Sequence, residues 1–229
     1  MGPQPSPNYI PPPHRTGVGD KASGFGDIGA KMSLLASREA CRAKRLDHPP
    51  CKPSSRIEIL SAQELGRTLD RLASQVLESA PQSQDLLLLG IPTRGVALAR
   101  VLAERLTAIA GHPVPHGSID PTFHRDDLAR VGTRLVEATS FPESVDGRFV
   151  VLVDDVIYTG RTVRAALEAL QAWGRPSRVQ LVVMVDRGHR ELPIQPDFCG
   201  RMVPTSRQES IQLCLQAVDG EEGVFLLHG

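Results

Sequence analysis

Lysine is absent from this chain after Lys52, and no apolar run in its 229 residues approaches the roughly 20 that a membrane-spanning helix needs. No apolar segment of the kind found in a secretion signal opens the sequence. Cysteine is scarce. Cys41, Cys51, Cys199 and Cys214 lack the spacing of a metal site and are too few for a disulfide scaffold, so free thiols in a reducing cytoplasm are expected. Net charge is missing as well, because 26 basic and 26 acidic side chains cancel. The balance is uneven along the chain. Residues 1–56 carry nine Lys or Arg against four acids, whereas residues 57–229 hold 17 arginines against 22 acids. The larger segment is net acidic, so bulk electrostatics do not predict nucleic-acid binding there, and any RNA contact needs a local patch.

Residues 1–54 differ in kind from the rest. Pro3, Pro5, Pro7, Pro11, Pro12, Pro13, Pro49, Pro50 and Pro53 are joined by Gly17, Gly19, Gly24, Gly26 and Gly29. Burial cannot offset the ordering entropy of such a stretch, so a disordered, basic extension is expected over 1–54, ahead of one folded domain over 55–229. Met32 to Leu46 forms an island compatible with a short basic helix. The extension reads as functionless, with Met32 as a working start, as a basic arm that grazes RNA, or as a targeting segment. Asp20, Asp27, Glu39 and Asp47 argue against targeting.

From Arg56 onward, strands alternate with helices. Ile57 to Leu60 reads as a strand, and Ser61 with Glu64 forms a capping box for a helix through Leu65, Leu69, Leu72, Val76 and Leu77. Asp85 to Gly90 reads as a buried strand, followed by a helix through Val96, Leu98, Ala99, Leu102 and Leu106. Val114 to Asp120, Phe149 to Val153, Val179 to Val185 and Val224 to Leu227 complete the strands. The alternation predicts an α/β fold with a mainly parallel central sheet flanked by helices.

The most informative run is Phe149 to Leu170. A short, almost wholly apolar β-branched stretch ends at once in Asp154 and Asp155, followed by Thr159, Gly160, Arg161 and Thr162 and then by apolar residues of helical period. In an open α/β sheet, ligands bind outside the carboxyl ends of the strands. The Thr-Gly-Arg-Thr turn would place backbone N–H groups and two hydroxyls at a helix amino end, an anion site. A binder of a diol beside a cradle for phosphate describes a ribose 5-phosphate pocket. The run resembles the 5-phosphoribosyl-1-pyrophosphate (PRPP) signature of type I phosphoribosyltransferases. That resemblance implies that Asp154 and Asp155 hold the ribose hydroxyls and that Thr159 to Thr162 bind the 5-phosphate.

Three further stretches carry chemistry. Gly90 to Gly95 ends a strand in a glycine-bounded turn, where Thr93, Arg94 and Gly95 offer backbone donors and a guanidinium fork suited to phosphate oxygens. Taken alone this pattern also suits a plain strand-to-helix turn. One βα unit before the PRPP-like run, it resembles a pyrophosphate loop, which in that family often has a strained non-proline peptide bond beside it. Ile119 to Leu128 is dense in charge and reads either as a solvated loop or as a lid whose Arg125 neutralises leaving pyrophosphate. Val185 to Ile194 follows a buried strand, and Asp186, Arg187 and Gly188 form a candidate base site, with main-chain groups reading the edge of a flat ring. His189 reads as a hydrogen-bonding residue, because nothing nearby marks a nucleophile–base pair.

In order and spacing, these blocks and the later Val203 to Arg207 are similar to the pyrimidine operon regulatory protein/uracil phosphoribosyltransferase family (PyrR). The similarity runs from about Ile57 to the carboxyl terminus. It implies conversion of uracil and PRPP to UMP and pyrophosphate, with Mg²⁺ held mainly through PRPP, near Asp154 and Asp155. It also implies binding to the leader of pyrimidine biosynthetic mRNA governed by UMP or UTP, and homodimers or larger homo-oligomers. Two departures bear on this. Pro121, Phe123 and His124 stand where the family usually has Ile, Leu and Tyr, which predicts altered lid geometry. Asp70 and Ser74 lie on a first-helix face that in relatives contributes neutral or basic RNA contacts, so a carboxylate there would repel phosphate. Three readings follow: an enzyme that also regulates through RNA, an enzyme alone, and a nucleotide sensor with little catalysis.

Overall fold

The computed structural model describes residues 56–124, 139–140 and 144–228. The extension expected over 1–54, and Arg125 to Leu128 of the expected lid, lie outside the described residues. The chain divides into two units, Met1–Cys51 and Lys52–Gly229, and every described residue belongs to the second.

Its strands are β1 (Arg56–Leu60), β2 (Leu86–Gly90), β3 (His116–Ser118), β4 (Phe149–Ile157), β5 (Arg178–Asp186), β6 (Phe198–Met202), β7 (Glu209–Cys214) and β8 (Gly223–His228). The helices are α1 (Ala62–Ser79), α2 (Arg94–Ala110), α3 (Arg161–Gln171) and the single turn α4 (Gln216–Asp219). Five strands form a sheet of order β3-β2-β4-β5-β6, parallel throughout. The predicted α/β class holds. The closing strand does not join this sheet: β8 pairs antiparallel with both β1 and β7 in a separate three-stranded sheet that strand–helix alternation does not predict.

Side chains alternate across a strand, so a strand covered on both faces must be apolar at every position. In β2, Leu86 and Leu88 enter one core with α1 and α2, while Leu87 and Leu89 enter the other with α3. All four are fully buried. Val151 and Val153 of β4 join the first core, and Val150 and Leu152 join the second. The first core takes its helical side from Leu65, Leu69, Leu72 and Val76 of α1 and Leu98, Leu102 and Leu106 of α2. The second takes Val163, Ala166 and Leu170 from α3.

The capping box forms as expected. Ser61 accepts from the Glu64 N–H, and the Glu64 carboxylate accepts from the Ser61 N–H at 2.9 Å. The Ser61 backbone and then its hydroxyl hold the Glu64 carboxyl below the ordinary carboxylate range. A depressed carboxyl stabilises the fold fully above its unfolded value of about 4.3 and loses that contribution as the pH falls through its lower folded value.

Chain order and strand order diverge at one place. After β2 the chain crosses to β3 on one side, and then returns to place β4 on the other. The switch point lies between β2 and β4, where a parallel sheet opens a crevice at its carboxyl ends. The two segments after these strands are Ile91 to Thr93 and Tyr158 to Gly160. These are the stretches singled out for phosphate chemistry.

Candidate functional site

The strand carrying the acid pair is four residues longer than expected. Asp154 and Asp155 lie within β4, where Asp154 stands in register with Val183 and Ile157 with Asp186. Pairing with the long β5 carries the ladder past the acids, which residue type alone would assign to a turn. Asp154 is 6% exposed and its Oδ1 accepts the Asp155 N–H at 3.0 Å. Asp155 is half-buried, and its carboxylate has no partner among the described residues.

Beyond Ile157 the chain turns through Tyr158 and Thr159 to Gly160, whose φ of 91° is a left-handed conformation that suits glycine. Gly160 is the N-cap residue of α3 and has no side chain to cap it, while Thr159 Oγ1 accepts the Arg161 N–H at 3.4 Å. The N–H groups of a helix amino end and the helix dipole together favour an anion there. Asp154, Tyr158, Thr159, Gly160, Arg161 and Thr162 are among the residues that line a cavity of about 270 Å³. Glu191 borders the same cavity. Its backbone N–H donates to the Thr159 carbonyl at 3.0 Å, and its carboxylate takes the Arg161 Nε–H at 2.8 Å. Neither Tyr158 nor Glu191 is among the sequence candidates. Their signal is position alone, one beside the phosphate turn and one in the base-site run.

The loop after β2 packs against the same strand. Ile91 N–H donates to the Val153 carbonyl at 2.9 Å, and the Pro92–Thr93 peptide bond is cis. Arg94 and Gly95 belong to the first turn of α2 rather than to the loop. Gly95 is buried so tightly that a Cβ would stand 2.5 Å from the Val153 carbonyl oxygen and 3.3 Å from the Asp154 Cα. Glycine here is what lets the amino end of α2 lie beside the acid pair. Arg94 is largely buried and donates to Asp219 of α4 at 2.8 Å, while its Nε is buried without a hydrogen-bond partner.

The segment after β3 is the first part of the expected lid. Asp120 and Pro121 are buried, and Asp120 Oδ1 accepts from the Thr122 N–H at 2.8 Å and from its hydroxyl. His124 is tied to α3: its carbonyl accepts from Arg164, and its Nδ1 lies 3.7 Å from Glu168.

The base-site candidates are more committed than residue type suggests. Asp186 is 5% exposed, and its carboxylate accepts from the Gly188 N–H at 2.9 Å and from the Arg190 guanidinium. Arg187 is also buried. It donates to Thr205 Oγ1 and to the Ser206 and Glu209 carbonyls, and lies 4.3 Å from the centre of the Tyr158 ring. Both side chains are structural clamps here. Gly188, with φ 77°, has open space where a Cβ would stand, so its backbone stays approachable. His189 contacts the Thr205 carbonyl through Nε2.

Among the described residues no group of three or more His, Cys, Asp or Glu could hold a metal, and no helix is long and apolar enough to cross a membrane. Neither Cys199 nor Cys214 is in a disulfide, and burial pushes the Cys199 thiol above its ordinary pKa.

Comparison with known proteins agrees with this geometry. The phosphoribosyl transferase domain family matches residues 55–215. The chain is 52% identical over 171 residues to the bifunctional protein PyrR of Microcystis aeruginosa, spanning 75% of this chain and 97% of that protein. It is 53% identical over 175 residues to the bifunctional protein PyrR of Gloeothece citriformis, spanning 76% and 99%. A hypoxanthine phosphoribosyltransferase from Trypanosoma cruzi is similar in fold, with a TM-score of 0.59 at 16% identity over 75% of this chain and 94% of that one. With half its aligned residues shared over nearly the whole length of those relatives, the chain belongs to the PyrR family of phosphoribosyltransferases.

Proposed function

We propose that the chain transfers the phosphoribosyl group of PRPP to uracil, giving UMP and pyrophosphate, and that it regulates pyrimidine gene expression by binding leader mRNA in response to uridine nucleotides. The observation that carries the enzymatic half is the meeting of two segments at the switch point between β2 and β4. An acid pair, Asp154 buried and Asp155 half-buried, stands there between the amino end of α3 and a loop packed onto the same strand. The bifunctional relatives support the regulatory half.

The chemistry is positional and electrostatic rather than covalent. Breaking the bond from ribose C1 to pyrophosphate builds positive charge on the sugar. Asp154 and Asp155 hold the ribose hydroxyls and lie close to that charge, an interaction worth most in the transition state. The first turn of α3, with Thr159, Gly160, Arg161 and Thr162, anchors the 5-phosphate. Thr93, Arg94 and Gly95 receive the pyrophosphate. Uracil lies against Tyr158 and the backbone at Gly188, and its N1 attacks the face of C1 opposite the leaving group. Asp186 and Arg187 act by holding the shape of that floor. Arg125 would join from the lid.

The donors fit a magnesium ion carried in by substrate. Mg²⁺ dehydrates reluctantly and is usually held by one or two carboxylates plus phosphates, and Asp155 offers a carboxylate with no partner among the described residues. When bound, the ion supplies charge that offsets the pyrophosphate.

On the RNA side, Asp70 is less of an obstacle than its charge implies. Its carboxylate pairs with Arg105 of α2 at 2.8 Å, and Arg67 lies exposed one turn earlier on α1. Leader RNA binding measured with and without UMP at two salt concentrations tests this half. Asp70→Asn should tighten binding and steepen its salt dependence if α1 faces RNA. Unchanged affinity would place the RNA surface elsewhere. Arg190 is a poor substitute, since its guanidinium is spent on Asp186, Tyr158 and Ile194. Absence of any binding would leave an enzyme alone.

A further inference from the structure

Arg94 opens α2 directly after the cis Pro92–Thr93 bond, and its guanidinium is oriented from the far end of the sequence. Asp219, in the single turn α4, accepts one Arg94 N–H through Oδ1 at 2.8 Å and the Leu215 N–H through Oδ2 at 2.9 Å. The pair is secluded, with side chains 13% and 12% exposed. A carboxylate held by its own backbone on one oxygen makes a fixed acceptor on the other. An arginine fork fixed on one side presents its remaining N–H groups in a set plane. Only one Arg94 N–H is bonded to Asp219, and its buried Nε has no partner.

We propose that Asp219 is a positioning residue for the reaction: it fixes the Arg94 guanidinium so that its uncommitted N–H groups meet the pyrophosphate of PRPP already oriented. This rests on reading Ile91 to Gly95 as the pyrophosphate loop. Asp219 touches no substrate itself. Its effect is confined to ligands that carry pyrophosphate and spares those held by the 5-phosphate turn, because the two segments belong to different strands and helices.

The test is calorimetry on the full chain with Mg²⁺, comparing PRPP, inorganic pyrophosphate and UMP. In Asp219→Asn the Kd for PRPP and pyrophosphate should rise about tenfold, the scale of one charge-assisted hydrogen bond. The Kd for UMP should stay within about twofold, and Asp219→Glu should recover part of the loss. In an Arg94→Gln background, Asp219→Asn should add nothing further, since the two residues act as one unit. Unchanged pyrophosphate affinity would overturn the inference. Equal losses for UMP and pyrophosphate, with a lowered melting temperature, would also overturn it by reducing Asp219 to a structural residue. Wild-type protein that bound UMP but not PRPP would sink the reading of the loop, and the inference with it.

Discussion

Asp154 and Asp155 are neighbours in sequence but differ in setting. Asp154 is enclosed and serves the backbone N–H of the next residue, whereas Asp155 is half-buried with its carboxylate uncommitted among the described residues. Asp155→Asn should lower kcat by about a hundredfold, because it removes charge where the oxocarbenium-like ion forms. It should leave the melting temperature unchanged, since no described contact is lost. Asp154→Asn should lower kcat to a similar degree and also cost some stability. PRPP affinity should change less than kcat in both. Near-normal turnover in both variants would remove the ribose assignment. Arg187 makes a different prediction, because its bonds go to the chain rather than outward. Arg187→Met should destabilise by about 3 kcal/mol in urea unfolding, since it strands the Ser206 and Glu209 carbonyls and removes the cation over Tyr158. A full-stability Arg187→Met variant with lost uracil binding would return Arg187 to the base site.

At the level of elements, the amino ends of α2 and α3 are brought to one crevice by two different devices. α3 begins at a left-handed glycine, and α2 begins against β4 because Gly95 has no side chain. Gly95→Ala should force the loop off Val153, raise the KM for PRPP, and destabilise by about 1–3 kcal/mol as overpacking does. Unchanged stability and KM would mean that the loop yields at no cost. The strand runs, the capping box and the PRPP-like turn are legible in the sequence because each rests on local periodicity or on a fixed spacing. β6 is not legible: in Phe198-Cys-Gly-Arg-Met, Gly200 and Arg201 break up the apolar residues, as a sheet edge allows. β7 leaves only a trace in the alternation of Ser210, Ile211, Gln212 and Leu213, a period of two too brief to stand out. The Arg94–Asp219 pair spans 125 residues of sequence and follows from no local signal.

For the molecule as a whole, the parallel sheet class and the position of the crevice follow from strand–helix alternation, while the second sheet does not. Alternation says nothing about which strands leave the main sheet. The fold supports a division of labour by location, with chemistry at the carboxyl ends of β2 and β4 and Asp70 and Arg105 on exposed outer helices. We expect residues 1–54 to be dispensable for catalysis, because their composition offers little apolar surface to bury. A chain beginning at Ser55 should keep its melting temperature and specific activity, and loss of either would show that the extension docks on the body. Base specificity is the decisive property, because the phosphoribosyl half of the pocket is common to enzymes acting on different bases. With Mg²⁺ and PRPP held constant, rates of nucleotide formation should be compared for uracil, orotate, hypoxanthine and guanine. Uracil should give UMP faster than any other base gives its nucleotide; faster turnover of orotate or of either purine, or no UMP at all, would contradict the assignment.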